Sequence, residues 1–300
     1  PPPSPRPMGL CAAPPPAAAA QPGEPQRRPQ GKSSANAWAA AAEAAMAEAG
    51  RRPPEDVEAH CAALRKRLAE IQAMLEEEGP EEEEVTPPGQ PTVSGPVDRA
   101  VVRFPDERGE VVVTIGTSRD AEVPGRVSRI SSVVDAAYTS AGKHKHVDEY
   151  DAVHRLQMGD AGPRANRVLH LAFRGEELVG CASSTFSPGW TPEGCGHWGL
   201  LAVDPAHQGS GVATALVLAA ERRLAMVSEM VQIEYQFMDG DEHSARLMAW
   251  YEDKLGFSGG PRPRRPGCMT FRRCHKIIPE DQQRRGRRRR VEEVRGWLAE

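Results

Sequence analysis

The run L-L-A-V-D-P-A-H-Q-G-S-G-V-A-T-A-L, Leu200 to Leu216, has the residue types and spacing to do chemistry with its backbone. It reads as a buried strand, a tight loop and a Gly-rich helix start. The first N–H groups of a helix have no intrahelical acceptor, and with the helix dipole they suit a pyrophosphate. Gly209 and Gly211 allow close approach to phosphates with no Cβ in the way. A dinucleotide fingerprint would place its first glycine directly after the strand and an acidic residue about 20 positions on. Here Asp204 to Gln208 intervene and Thr214 holds the third glycine position, so that reading is set aside. A plain helix cap is the remaining alternative.

Such a junction needs a sheet behind it, and the flanking pattern supplies one. Strands are expected over 110–115, 167–173, 177–185, 197–203, 231–237 and 267–273. Helices are expected over 125–141, 148–158, 209–225 and 243–255. The order β-α-α-β-β-β-α-β-α-β predicts an α/β (α+β) fold with helices on both faces of a mixed sheet. The folded region is expected to begin near Val101, giving a domain over 101–275.

The flanks differ in composition. Residues 1–97 are rich in Pro, Ala, Glu, Gln and Gly with few aromatics. Too little apolar area is available there to offset the entropy of ordering, which predicts disorder. Within it, 54–78 carries Val57, Cys61, Leu64, Leu68, Ile71 and Leu75 at alternating spacings of four and three. That pattern suits an amphipathic helix, with weak self-association through 57–75 as the alternative. An acidic run, Glu76–Glu84, and a basic run, Arg284–Arg290, read as solvated tails, and an intramolecular contact or a nuclear-import patch is the minority reading. Residues 276–300 form a basic tail that can become a helix around Val291, Val294 and Leu298. The six cysteines, Cys11, Cys61, Cys181, Cys195, Cys268 and Cys274, show no metal spacing, so no metal site is expected. They fit a reducing compartment, cytoplasmic or nuclear. No apolar stretch reaches membrane-span length, and no signal peptide opens the chain. The chain starts Pro-Pro-Pro rather than Met, which is consistent with a fragment.

Three blocks resemble the GNAT superfamily of N-acetyltransferases. The family pattern of Gln or Arg, two residues, Gly, one residue, then Gly or Ala is matched by Gln208, Gly211 and Ala213 after the strand L-A-V-D-P. A second block is S-A-R-L-M-A-W-Y-E-D-K-L-G-F, Ser244 to Phe257, and a weaker third is G-E-E-L-V-G-C-A, Gly175 to Ala182. The resemblance covers just over half the chain. It implies a mostly antiparallel sheet with a splayed parallel strand pair holding acetyl-CoA as co-substrate. Leu201, Ala202 and Val203 would meet the pantetheine arm. Gln208, Gly209, Ser210, Gly211, Val212 and Ala213 would hold the pyrophosphate, and Ser244 would stand where the family often has Asn. Two departures are visible: the loop has Gly and Ser where many members place Lys or Arg, and one extra residue separates Tyr251 from Gly256.

The implied chemistry is direct transfer from acetyl-CoA to a primary amine. A thioester is already activated, so the reaction needs a neutral amine, an oxyanion donor and a proton for the leaving thiolate. The donor would be a backbone N–H of 201–203. By resemblance Tyr251 would protonate the sulfur, and as core it would simply line the last helix. His197 lies eleven residues before Gln208, where the histone-acetyltransferase branch carries a glutamate resembling a general base. As base it would be mostly neutral at pH 7, and its plain alternative is a hydrogen-bonded strand-edge histidine. Tyr138, His144, His146 and Glu149 are weaker acceptor-groove candidates. Cys181 and Cys195 read as structural. The partners implied are acetyl-CoA and an amine acceptor, either a small molecule or a protein, with neither nucleic acid nor membrane. Specificity is placed in the loops 141–150 and 186–196. The alternative from another class is a non-catalytic acyl-CoA-binding or interaction protein whose tails recruit partners.

Overall fold

The computed structural model describes residues 89–143, 145–260, 267 and 269–299, and the isolated helical positions Lys66, Ala69 and Ala73. The rest of the expected helix 54–78, and the expected disorder up to residue 88, lie outside the described residues. Among the described residues nine strands form one sheet: β1 (Thr92–Ser94), β2 (Arg99–Arg103), β3 (Glu110–Gly116), β4 (Arg167–Arg174), β5 (Glu177–Thr185), β6 (Cys195–Val203), β7 (Met230–Met238), β8 (Ser258–Gly259) and β9 (Met269–Ile277). Their spatial order is β1-β2-β3-β4-β5-β6-β7-β9-β8. Every neighbouring pair is antiparallel except β6 and β7, which are parallel. A parallel pair needs a crossover, and the helix between these two strands provides it.

The helices from residue 89 onward among the described residues are α1 (Ser118–Glu122), α2 (Arg126–Ser140), α3 (Glu149–Gln157), α4 (Val212–Leu224), α5 (Glu242–Met248) and α6 (Glu280–Ala299). Side chains of α2 and α3, among them Ile130, Val134 and Leu156, bury against Leu169, Leu171 and Cys181 on one face of the sheet. Val212, Ala215, Leu216 and Ala219 of α4 bury against Val111, Val113, Val179 and Val203 on the other. A third cluster joins α4 to β7, β9 and the segment after α5 through Trp198, Leu224, Ile233, Tyr235 and Tyr251. The fold is therefore the mixed sheet with helices on both faces that the pattern implies, mostly antiparallel as the resemblance implies.

The sheet begins at Thr92, ahead of the expected start near Val101. β2 is short and alternates by two, with Ala100 and Val102 buried and paired to Val113 and Val111. Five residues give too little periodicity to register in sequence. The last long strand lies at 269–277 rather than 267–273. The tail beyond Pro279 is helical, and a Cβ on Gly286 would meet the Ala225 carbonyl, so α6 crosses the end of α4 at a residue without a side chain.

One buried polar cluster has a measurable consequence. His170 Nε2 lies 2.8 Å from Ser184 Oγ, and the buried Arg223 donates to the same hydroxyl at 2.8 Å and to the Pro163, Ala165 and Ser184 carbonyls. Burial, and next the Arg223 charge, push the His170 pKa down to about 3. The unfolded chain takes up this proton near the ordinary value of about 6.5, while the folded chain refuses it until about pH 3. Stability present above pH 6.5 is therefore lost as pH falls through that window. Chemical denaturation is expected to show a loss of about 2.5 kcal/mol from this group between pH 7 and pH 4.5. His170→Gln should flatten that part of the profile, and an unchanged slope would contradict the assignment.

Candidate functional site

The parallel pair opens into a fork. β6 and β7 are in register only at Cys195–Met230, Gly196–Val231 and His197–Gln232. Beyond that point β6 continues to Val203 and β7 to Met238 without pairing. Leu200 sets the divergence, with φ of 50°, the only positive value on a residue other than glycine among those described. Its neighbourhood is a bulge: against β5, Ser183 faces Gly199 while Cys181 faces Ala202. An extra residue bends a strand and re-aims its side chains. Accordingly Trp198 enters the α4-side core and Leu200 the α2-side core, although a regular strand would put both on one face. The β6 edge that carries Leu201, Ala202 and Val203 is thus left with main-chain groups that no strand satisfies.

The loop after β6 is braced from three directions. Asp204 accepts from Ala206 N at 2.9 Å and from Arg129 Nη2 at 2.7 Å. Gln208 Nε2 reaches Ser140 Oγ at 3.5 Å. Arg174, at the end of β4, donates to the Ser210 carbonyl at 2.6 Å and to the Arg108 carbonyl at 2.7 Å. The expected helix start at 209 is instead a loop with Gly209 and Gly211 at φ of 76° and 92°, and α4 begins at Val212. Gly211 takes the N-cap position with no side-chain cap, and the first turn holds no acid. By contrast, α3 and α5 are capped by Asp148 and Asp241. Among the described residues, no acceptor meets the N–H groups of Gly209, Gly211, Val212, Ala213 and Thr214. Orphan donors at an uncapped helix start make an anion cradle.

The two glycines are needed for different reasons. A Cβ on Gly209 would meet open space, so its side of the loop is free for a ligand. A Cβ on Gly211 would come within 2.6 Å of the Phe104 ring, so this glycine answers to packing against the β2–β3 hairpin. Arg174 places a cation behind the loop. The sequence shows it only as half of a hairpin turn, because its role depends on β4 ending beside a loop 36 residues away.

On the α4 side of the fork stands Tyr251. Helix α5 gives way to a π turn over Ala249–Lys254, with Leu255 N–H bonded to the Trp250 carbonyl at 3.1 Å. A π turn inserts one residue into a helix, and this absorbs the extra residue between Tyr251 and Gly256. The turn is fixed by Glu252, which accepts from Tyr235 Oη at 3.0 Å and from Arg272 Nη2 at 2.6 Å. The Tyr251 ring lies 4.8 Å from Tyr235, 5.0 Å from Trp250 and 5.9 Å from Trp198, the residue that follows the last rung of the fork. Burial pushes its pKa well above the ordinary tyrosine value, so it stays a donor. Among the described residues its hydroxyl makes no hydrogen bond. Ser244, expected from the resemblance to meet the cofactor, is buried, and its Oγ accepts from Met238 N–H at 3.1 Å. It ties α5 to the end of β7.

Residues 129–257 match the family model described as acetyltransferase (GNAT) family. Over that segment the chain is similar to this family. Solved structures with a similar fold include the GNAT domain of S. lividans PAT, 19% identical, with a TM-score of 0.43 over 60% of this chain and 97% of that one. PaiA N-acetyltransferase from Thermoplasma acidophilum, in complex with coenzyme A, is 12% identical, with a TM-score of 0.43 over 56% and 99% of the two chains. An aminoglycoside 6'-N-acetyltransferase complexed with coenzyme A is 17% identical, with a TM-score of 0.40 over 56% and 98%. No curated protein matches the sequence.

The remaining candidates divide by position in the domain. His197 occupies the last rung of the fork, its ring 5.6 Å from Trp190. Burial pushes its pKa down to about 4, with Glu234 opposing and Arg167 adding to the shift. Tyr138 is half-buried beneath the Lys145 ammonium, and its pKa is raised by burial. His146 is exposed and paired with Asp135 at 3.1 Å, and Glu149 is bonded to Ser128 at the start of α3. His144, Cys11, Cys61 and Cys268 lie outside the described residues. Cys181, Cys195 and Cys274 are buried free thiols with raised pKa values, Cys181 up to about 12. A thiol held protonated is a poor nucleophile. Among the described residues no cluster of His, Cys, Asp or Glu could hold a metal ion, and no helix is long and apolar enough to cross a membrane.

Proposed function

We propose that the domain transfers an acetyl group from acetyl-CoA to a primary amine within one ternary complex. The observation that carries this reading is the contiguity of the opened β6 edge with the uncapped amide cradle. A strand-like amide arm suits the first, and a pyrophosphate suits the second. Leu201 and Val203 would bond the arm, and the amides from Gly209 to Thr214 would hold the phosphates, with Arg174 behind them.

The amine nitrogen attacks the thioester carbonyl carbon, the C–N bond forms, and the C–S bond then breaks. A backbone N–H of 201–203 stabilises the oxyanion between the two events. Tyr251 delivers its phenolic proton to the departing sulfur and recovers one from solvent. His197, neutral above about pH 4, takes the proton that the amine sheds. Its low pKa makes it a weak base, and the neighbouring Glu234 carboxylate offsets this as positive charge develops on the ring. The raised cysteine pKa values support direct transfer over a covalent acyl-cysteine. The same free buried thiols support a reducing compartment, cytoplasmic or nuclear.

His197→Ala is expected to lower kcat about 100-fold with acetyl-CoA affinity unchanged. It should also remove an acidic limb centred near pH 4. Near-normal turnover with that limb intact would assign the proton to water instead.

A further inference from the structure

One register line crosses five strands on the face that carries α2 and α3. Arg167 of β4 stands opposite Thr185 of β5, Thr185 opposite His197, His197 opposite Gln232, and Gln232 opposite His275 of β9. Directly opposed residues project to the same face. Leu169 and Cys181, which share the alternation of Arg167 and Thr185, fix that face as the α2 side. At the usual strand spacing Arg167 is rooted about 10 Å from His197.

Two further cations lie within electrostatic reach of Arg167. Arg155 leaves the last turn of α3, and Lys145 sits in the loop before it with its ammonium 5.8 Å from the Tyr138 ring centre. Among the described residues none of the three makes an ion pair or a hydrogen bond to a carboxylate. Glu234, two residues beyond Gln232 on β7, is committed to Arg273 at 2.8 Å. The Nε atoms of Arg155 and Arg167 are both buried with no hydrogen-bond partner. Burial first, then the neighbouring cations, lower the proton affinity of Lys145 and Arg167. Buried guanidinium donors are ordinarily satisfied, and like charges gathered without an anion oppose folding. An oxyanion held by these side chains would cancel the repulsion.

We propose that Arg155, Arg167 and Lys145 form an oxyanion subsite in the acceptor groove, so that the acceptor is a small primary amine carrying a carboxylate or a phosphate. The amine half rests on the acetyltransferase reading, whereas the anion half does not. The test uses the full chain and four amines: 4-aminobutyrate, O-phosphoethanolamine, n-butylamine and putrescine. Wild type should turn over at least one of the first two with kcat/KM at least 10-fold above n-butylamine, and which one decides between carboxylate and phosphate. Arg167→Gln should raise KM for that acceptor at least 10-fold and collapse its advantage over n-butylamine, and Arg167→Lys should restore part of it. A preference for n-butylamine or putrescine in wild type, or an equal loss on all amines in Arg167→Gln, overturns the subsite and leaves the acetyltransferase reading standing. Calorimetry with glutarate and with inorganic phosphate, neither of which has an amine, separates the two claims. Binding of either that is lost in Arg167→Gln upholds the subsite even if no amine is acetylated. Absence of binding by both in wild type counts against it.

Discussion

Gly209→Glu is expected to lower acetyl-CoA affinity at least 100-fold while the protein stays folded. The substituted carboxylate would enter the space beside the unbonded amides of Gly209, Gly211 and Val212, where a pyrophosphate would otherwise sit. An anion of the protein's own would then compete for the donors and repel the ligand's charge. The cost to the fold is confined to the backbone, since the left-handed conformation at φ of 76° penalises a side chain by about 1–2 kcal/mol. That corresponds to a few degrees in thermal midpoint for a domain of this size. Gly211→Glu would not separate the two effects, because its side chain would run into Phe104. Calorimetry with acetyl-CoA, paired with a thermal melt, checks the expectation. A folded Gly209→Glu protein of unchanged affinity would show that phosphates do not bind in this loop.

Tyr251→Phe should reduce kcat by about 1000-fold, within the range of a lost general acid, with acetyl-CoA affinity altered no more than about threefold. The phenol is buried among Trp198, Tyr235 and Trp250, so removing one oxygen leaves the ring packing intact. Its raised pKa keeps the proton in place throughout the neutral and mildly alkaline range. The wild-type rate should accordingly show no loss from Tyr251 ionisation up to about pH 10. Stopped-flow or steady-state CoA release across pH 7–10 reads both features. Full turnover by Tyr251→Phe would mean that solvent protonates the leaving thiolate.

The glycine loop after β6 was legible in sequence because its whole device is local: a strand, a turn, two glycines and a helix start within Leu200–Leu216. Tyr251 stood out through the resemblance of 244–257 to a family block, whereas the π turn that accommodates the extra residue was not legible, since a single insertion carries no periodic signal. The division of labour between Gly209 and Gly211 was hidden for another reason. It depends on Phe104, which reaches the loop only once the β2–β3 hairpin joins the sheet. Arg155 and Arg167 read in sequence as ordinary charges on the end of a helix and the start of a strand. The placement of Arg167 on the His197 line is a property of register, and register follows from which faces are buried across several strands. The fork shows the same division. Its two strands are legible, but the bulge at Leu200 that separates them exists only against β5.

The most direct test of the central claim is a backbone-amide NMR titration of the protein with acetyl-CoA. The account predicts a single saturable site. The largest shifts should fall on the amides of Leu201, Ala202 and Val203 and on those from Gly209 to Thr214, with the α3 amides far less affected. Binding that leaves the 201–203 and 209–214 amides unmoved, or no binding at millimolar acetyl-CoA, would contradict it.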